Sequence, residues 1–245
     1  SALSTETTGG KNVAVGARSQ EDVNNAGNGN NTSVGYESML QATTAVGTTA
    51  IGSSAIGSGV MTGDFNTAVG YLAGSDLTTG AENVFVGGSA GLNVTTGTQN
   101  TAVGANAIGL GVTTGNNNVA VGIQAGEDLT SGHSNALLGA FAGRNITTGL
   151  QNIAIGYGTL ATNIDGDNNT AVGHSALNDF EADTDGHGNN TAVGASAMLN
   201  ASTGTENTAL GTLAMGNGVT TGNSNIALGY AAGFSLTSGE QNVAI

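Results

Sequence analysis

Oxygen-bearing side chains crowd one stretch of this chain. Glu181 precedes Asp183-Thr184-Asp185-Gly186, and Asn189 follows. Oxygen ligands at alternating positions, with a glycine for a sharp turn, are the ingredients of a calcium loop. Asp183, Asp185 and Asn189 are therefore the expected Ca²⁺ ligands. The bidentate glutamate that completes an EF-hand is missing, and a solvated acidic loop is the competing reading. Asp165, Asp167 and Asn168 form a second, sparser set. His133, His174 and His187 share no metal-ligand spacing and read as surface or turn residues. Nucleophilic chemistry has no support: there is no G-x-S-x-G elbow and no ordered Ser/His/Asp series. Paired carboxylates for glycoside cleavage need a cleft, whereas the acidic residues here fall in turns. Gly109-Leu110-Gly111 resembles the start of a phosphate loop, but no helix follows it. No catalysis and no cofactor beyond Ca²⁺ is expected.

The elements that must carry these residues are copies of one phrase. Asn66 to Gly80 reads NTAVGYLAGSDLTTG, and the phrase returns at Asn83, Asn100, Asn118, Asn135, Asn152, Asn169, Asn190, Asn207, Asn225 and Asn242. The step is 17 residues at most joints, 18 after Asn100 and Asn207, and 21 after Asn169. So short a period predicts a solenoid in which each copy is one coil: an all-β fold, a β-solenoid or parallel β-roll. Within N-T-A-V-G, Thr67 and Val69 share one face, as do Val84 and Val86, Val119 and Val121, Ile153 and Ile155. That face is mostly β-branched, which suits a packed interior. The opposite face is a row of small residues: Ala68, Ala102, Ala120, Ala136, Ala154, Ala171, Ala192, Ala209, Ala227 and Ala244, with Phe85 as the exception. Water on that side calls for polar residues, so the Ala row is expected to lie against another layer or another chain. The glycine after each strand marks a corner. A small residue follows it, then an apolar one, then T-T-G as a second turn. Each coil is expected to hold two strands and two turns. Asn recurs at one corner, where stacked amides form a ladder.

Composition fits such a coil. The 245 residues include 43 Gly, with no Pro, Cys or Trp and 4% aromatics. Small residues are what a thin coil holds. The net charge is −14, and Lys11, Arg18 and Arg144 are the fixed positive charges. Nucleic-acid binding needs basic patches and is rejected. Attraction to anionic membranes fails for the same reason, and no stretch is apolar enough for membrane insertion. Absence of cysteine excludes a disulfide scaffold. N-x-[ST] sequons at the Asn30/Asn31 pair, Asn93, Asn145, Asn168, Asn189 and Asn200 arise readily by chance in a chain rich in Asn and Thr. Ice binding by stacked Thr is disfavoured, because Thr78 and Thr79 point opposite ways in a strand.

Organisation is read as one continuous array over 1–245: an irregular start at 1–65, regular coils at 66–245, and an acidic loop near 179–188. In the start, AVG at 45–47 and AIG at 50–52 and 55–57 stand only five residues apart, which reads as a tightened coil or a bend. About 14 coils rising roughly 4.8 Å each imply a rod of roughly 65–70 Å. Ser1 precedes Asn12 by the interval that separates Ser196 from Asn207, so Ser1, Ala2 and Leu3 resume the phrase that Val243, Ala244 and Ile245 break off. Those six residues are the expected end-to-end contacts, in a longer array or a head-to-tail filament.

The phrase N-[TV]-A-[VI]-G-x-x-A resembles the head repeats of trimeric autotransporter adhesins, which form a left-handed parallel β-roll. With T-T-G-x-x-N, as at Gly80–Asn83, Gly97–Asn100 and Gly149–Asn152, it is still more similar to the repeat arrays of bacteriophage tail fibres. The resemblance covers most of the chain from Asn31. It departs in the longer repeat and in lacking a coiled-coil stalk and a chaperone domain. It implies a non-enzymatic, extracellular fibre or filament segment with an adhesive role, on a virion, a cell surface or a secreted filament. The implied partners are further copies of the chain, as a homotrimer or head-to-tail polymer, and a cell-surface glycan or receptor. The alternative is a calcium-dependent glycan- or receptor-binding module working through the 179–188 loop.

Overall fold

The computed structural model describes residues 10–22, 29–180 and 188–245. It divides into two compact units, Ser1–Asn117 and Asn118–Ile245. Both are all-β solenoids with no helix among the described residues. The first stacks β1 (Val13–Val15), β2 (Thr32–Val34), β3 (Thr49–Ile51), β4 (Thr67–Val69), β5 (Val84–Val86) and β6 (Thr101–Val103). The second stacks β7 (Val119–Val121), β8 (Ala136–Leu138), β9 (Ile153–Ile155), β10 (Thr170–Val172), β11 (Thr191–Val193), β12 (Thr208–Leu210), β13 (Ile226–Leu228) and β14 (Val243–Ala244). Within each unit, neighbouring strands pair in parallel, one per coil and in register, as Ala154 on Ala171 and Ala171 on Ala192.

One strand per coil forms, not the expected two. The other side is broken by residues in the left-handed region, Leu72 (φ 56°) and Gly74 (φ 59°) in the fourth coil. Two such residues in close succession cannot continue an extended strand. The backbone there still bonds across coils. The Leu72 N–H donates to Ser53 O in the preceding coil at 3.1 Å, and Gly74 N–H to Ala90 O in the following coil at 2.9 Å. Among the described residues, only isolated bridges of ladder type appear on this side, such as Val94 with Thr113. The corner glycine has a tighter requirement. Gly70 sits at φ 142°, and a methyl group on it would overlap the carbonyl oxygen of Gly87 in the next coil.

Asparagine links successive coils at the remaining corner. Asn135 Oδ1 accepts the backbone N–H of Asn152 at 2.9 Å. Its Nδ2 donates to Gly149 O at 2.9 Å, and Asn152 Nδ2 returns to Asn135 Oδ1 at 3.2 Å. The same pattern joins Asn66, Asn83 and Asn100 in the first unit. These side chains are buried, so each ladder bond replaces water that cannot enter.

The stretch expected to be a tightened coil or bend is regular in pairing. β2, β3 and β4 align in register, with corner residues 17 and 18 positions apart. Thr48 stands where other coils have Asn: its N–H donates to Asn31 Oδ1 at 2.8 Å, and its hydroxyl meets Asn66 N–H at 3.4 Å. Ala45 takes the place of the turn glycine, accepting from Asn31 Nδ2. The closely spaced AVG and AIG phrases thus belong to different sides of full coils.

The interior is where the sequence reading reverses. Ala68, Ala102, Ala120, Ala154, Ala171, Ala192, Ala209 and Ala227 are buried inside the coils of a single chain. The row is therefore the solenoid's core and not a face toward a second chain. Ala136 leaves the row altogether. It pairs with Val119 and Ile153 on the outer face, and Leu137 takes the inner place between Ala120 and Ala154. A thin coil has room for a methyl group there because Ile, Leu or Met enters from the far side, as Ile108, Leu160, Leu177, Met198 and Met215 do. Where the inner strand residue is large, that far position is glycine. Phe85 lies against Gly74 and Gly91, and Leu137 against Gly143, leaving no space for a Cβ at any of the three.

Candidate functional site

Of the expected calcium ligands, Asp183 and Asp185 lie outside the described residues. Asn189 is exposed, and its N–H donates to Asp167 O at 3.0 Å. In the second set, Asp167 Oδ1 accepts the N–H of Leu150 at 2.7 Å, tying this carboxylate into the turn. Asn168 is exposed at φ 56°. No group of three His, Asp or Glu comes together among the described residues. Asn163 holds a position that is apolar in most coils. Its amide is satisfied locally, donating to Gly166 O and accepting Gly166 N–H, both at 3.0 Å.

Of the expected end contacts, Ser1, Ala2 and Leu3 lie outside the described residues. Val243 and Ala244 form β14 on β13, and Val243 and Ile245 are exposed.

Two surface features emerge that the sequence reading missed. The first is the outer strand face. Val119, Val121, Ile153, Ile155, Leu210 and Leu228 project from the second unit, each more than a third exposed; Val121 is 38% accessible while Ala120 beside it is 0%. The first unit presents Val84, Val86 and Ile51 in the same way.

The second is a hollow on the second unit, away from that strand. It has a volume of about 300 Å³ and is lined by Phe141, Arg144, Asn145, Tyr157, Thr162 and Asn178, together with the small Gly158 and Ala161. The repeat explains it. Two places after the corner glycine, successive coils carry Gln124, Phe141, Gly158 and Ser175; five places after it, Glu127, Arg144, Ala161 and Asn178. The coil that begins at Asn152 is small at both places, while the coils on either side are not. A Cβ on Gly158 would meet only the Asn178 amide, at 3.3 Å, and Ser175 Oγ, at 3.7 Å. That local dip was legible in the repeat, given an alignment of coils by their corner glycines.

The rim is stiff. Arg144 Nε donates to Glu127 Oε2 at 3.0 Å, and Glu127 Oε1 accepts from Gln124 Nε2 at 2.6 Å. Glu127 is buried, so this charge is taken up by its two donors. The guanidinium lies 5.8 Å from the Phe141 ring centre, a cation–π distance. Tyr157 meets Phe141 edge to face, 5.4 Å between centres at 82°, and stacks on His174 at 5.3 Å and 10°. Asn178 Nδ2 donates to Gly158 O at 2.6 Å, and Thr162 Oγ donates to Asn178 O at 2.8 Å. Beside Arg144, burial pushes the Asp128 carboxyl above its usual value; the charge of Glu127 adds to this and that of Arg144 opposes it.

No family model matches the sequence, and no curated protein is significantly similar to it. The fold itself defines the class: a β-solenoid repeat protein.

Proposed function

We propose that this chain is a non-enzymatic structural segment of an extracellular fibre, whose copies associate side by side and whose surface has an adhesive role. The observation that carries the reading is the outward β-branched row. A solvated sheet face alternates apolar inside with polar outside. Here the inner face is already filled, mostly by Ala. The second outer position of each three-residue strand still carries Val, Ile or Leu, half-buried or exposed, while the first is Val, Ile or Thr apart from Ala136. Regular apolar rows of this kind mark association surfaces. Register is shared by every coil, so a second copy meets the same pattern along the length of a unit. The coils spend their polar groups on each other, through the Asn ladder and inter-coil backbone bonds, which suits a structural element. The resemblance of the repeat to tail-fibre and adhesin arrays points the same way and favours a trimer.

Sedimentation equilibrium tests this reading. The expected mass is a multiple of the 23.6 kDa chain, held at low micromolar concentration. A chain that stays at 23.6 kDa over the whole accessible concentration range overturns it.

A further inference from the structure

We propose that the hollow around Gly158 and Ala161 is a binding site for one ring of a neutral hexopyranoside. This names the ligand class for the adhesive role proposed above and rests on that role, not on self-association.

Size comes first. The hollow spans the two coil steps from the Arg144 coil to the Asn178 coil, roughly 9–10 Å at the inter-strand spacing. Its volume of about 300 Å³ is at the lower end for small-molecule sites. One sugar ring fits within that span.

Chemistry narrows the ligand further. Tyr157 is 54% exposed at the rim and held in place between Phe141 and His174. A fixed, half-exposed ring supplies an apolar platform for the C–H face of a pyranose at little ordering cost. The Asn145 side-chain amide makes no hydrogen bond among the described residues and lines the hollow half-buried. It offers both a donor and an acceptor to vicinal hydroxyls. Asn178 is anchored through Nδ2, which leaves its Oδ1 as a positioned acceptor. The terminal nitrogens of Arg144 add donors at the opposite wall, since only its Nε is bonded to a protein oxygen among the described residues.

Charge selects a neutral ligand. Arg144 is the only Lys or Arg between 118 and 245, and Glu127 neutralises it. Asp128 stands beside that pair, and the whole chain carries −14. A uronate or sialate would enter against this field.

The repeat provides its own filling variants. Ser occupies the Gly158 position in other coils at nearly the same backbone angle (Ser175 at φ 53°, Gly158 at φ 62°), and Leu occupies the Ala161 position at Leu92 and Leu199. Gly158→Ser and Ala161→Leu are thus compatible with the coil while closing the hollow.

The experiment is saturation-transfer difference NMR on the full chain. The probes are the methyl glycosides of glucose, galactose and mannose, N-acetylglucosamine, and, as the anionic arm, methyl glucuronide. The expected result is transfer to at least one neutral pyranoside, with Kd in the millimolar range. Ala161→Leu, Gly158→Ser and Tyr157→Ala should each weaken binding about tenfold or more, with circular dichroism unchanged. Silence from all neutral probes, binding of the glucuronide alone, or undiminished binding in the folded filling variants overturns the proposal. Should one variant misfold, the other two carry the test. The mass measurement is independent, so failure here is distinguishable from failure of the fibre reading.

Discussion

Asn135 is buried at its coil's corner and serves two backbone groups at once, the Asn152 N–H and the Gly149 carbonyl. Asn135→Ala leaves both without a partner where water does not reach. Each such group costs about 1–3 kcal/mol, so the variant should lose about 2–6 kcal/mol of stability. Exposed Thr148→Ala should stay within about 0.5 kcal/mol. Chemical denaturation of the two variants checks the difference. Thr48 offers the converse. Its hydroxyl meets Asn66 N–H at only 3.4 Å, so Thr48→Asn should complete the ladder and add about 0.5–1.5 kcal/mol. A third residue-scale expectation concerns pH. The raised Asp128 carboxyl means the folded state holds this proton more tightly than the unfolded state. Its contribution to stability is present at low pH and is lost as pH rises through the folded-state value. Asp128→Asn should therefore remove a fall in melting temperature that the parent shows just above the ordinary aspartate range. Melting curves at stepped pH decide it; parallel profiles for both proteins would contradict the assignment.

Between coils, the governing relation is one of size. A large inner strand residue is matched by glycine at the far position, and a small one by Ile, Leu or Met in most coils. Phe85→Ala should cost about 3–5 kcal/mol through the cavity it leaves. Adding Gly91→Met should recover part of that loss, because Met198 and Met215 already occupy the equivalent place at similar positive φ. A double variant no more stable than Phe85→Ala would show that the far side does not pack on the strand row. This relation also shows what the sequence could and could not disclose. The period, the corner glycines and the Asn ladder were legible, because each depends on one residue type recurring at one spacing. The inner face was not, because strand preference alone puts Val inside and treats Ala as a contact surface. The missing clue was the pairing of Phe85 with Gly74 and Gly91, and of Leu137 with Gly143, which crosses the coil and is invisible to alternation within a strand. Ala136 was misplaced for a related reason: Asn135-Ala136-Leu137-Leu138 has its small residue one position early, and only the corners fix its register. The hollow went unseen because it is a deficit of side chain, at Gly158 and Ala161, and not a motif.

For the molecule as a whole, the central claim is that Ala fills the coils while the β-branched row faces out and holds copies together. Neighbouring residues on β7 separate the two roles. Ala120→Glu buries a carboxylate with no partner, at a cost of several kcal/mol, and should unfold its coils. Val121 and Ile155 lie on the outer face, and charges there meet water in a single chain. The deciding measurement is sedimentation equilibrium of Val121→Glu/Ile155→Glu beside the parent, with circular dichroism on the same samples. The prediction is a parent mass that is a multiple of 23.6 kDa and a variant that sediments as the single chain with the parent's spectrum. A variant that keeps the parent's mass, or that loses its fold, would contradict the claim.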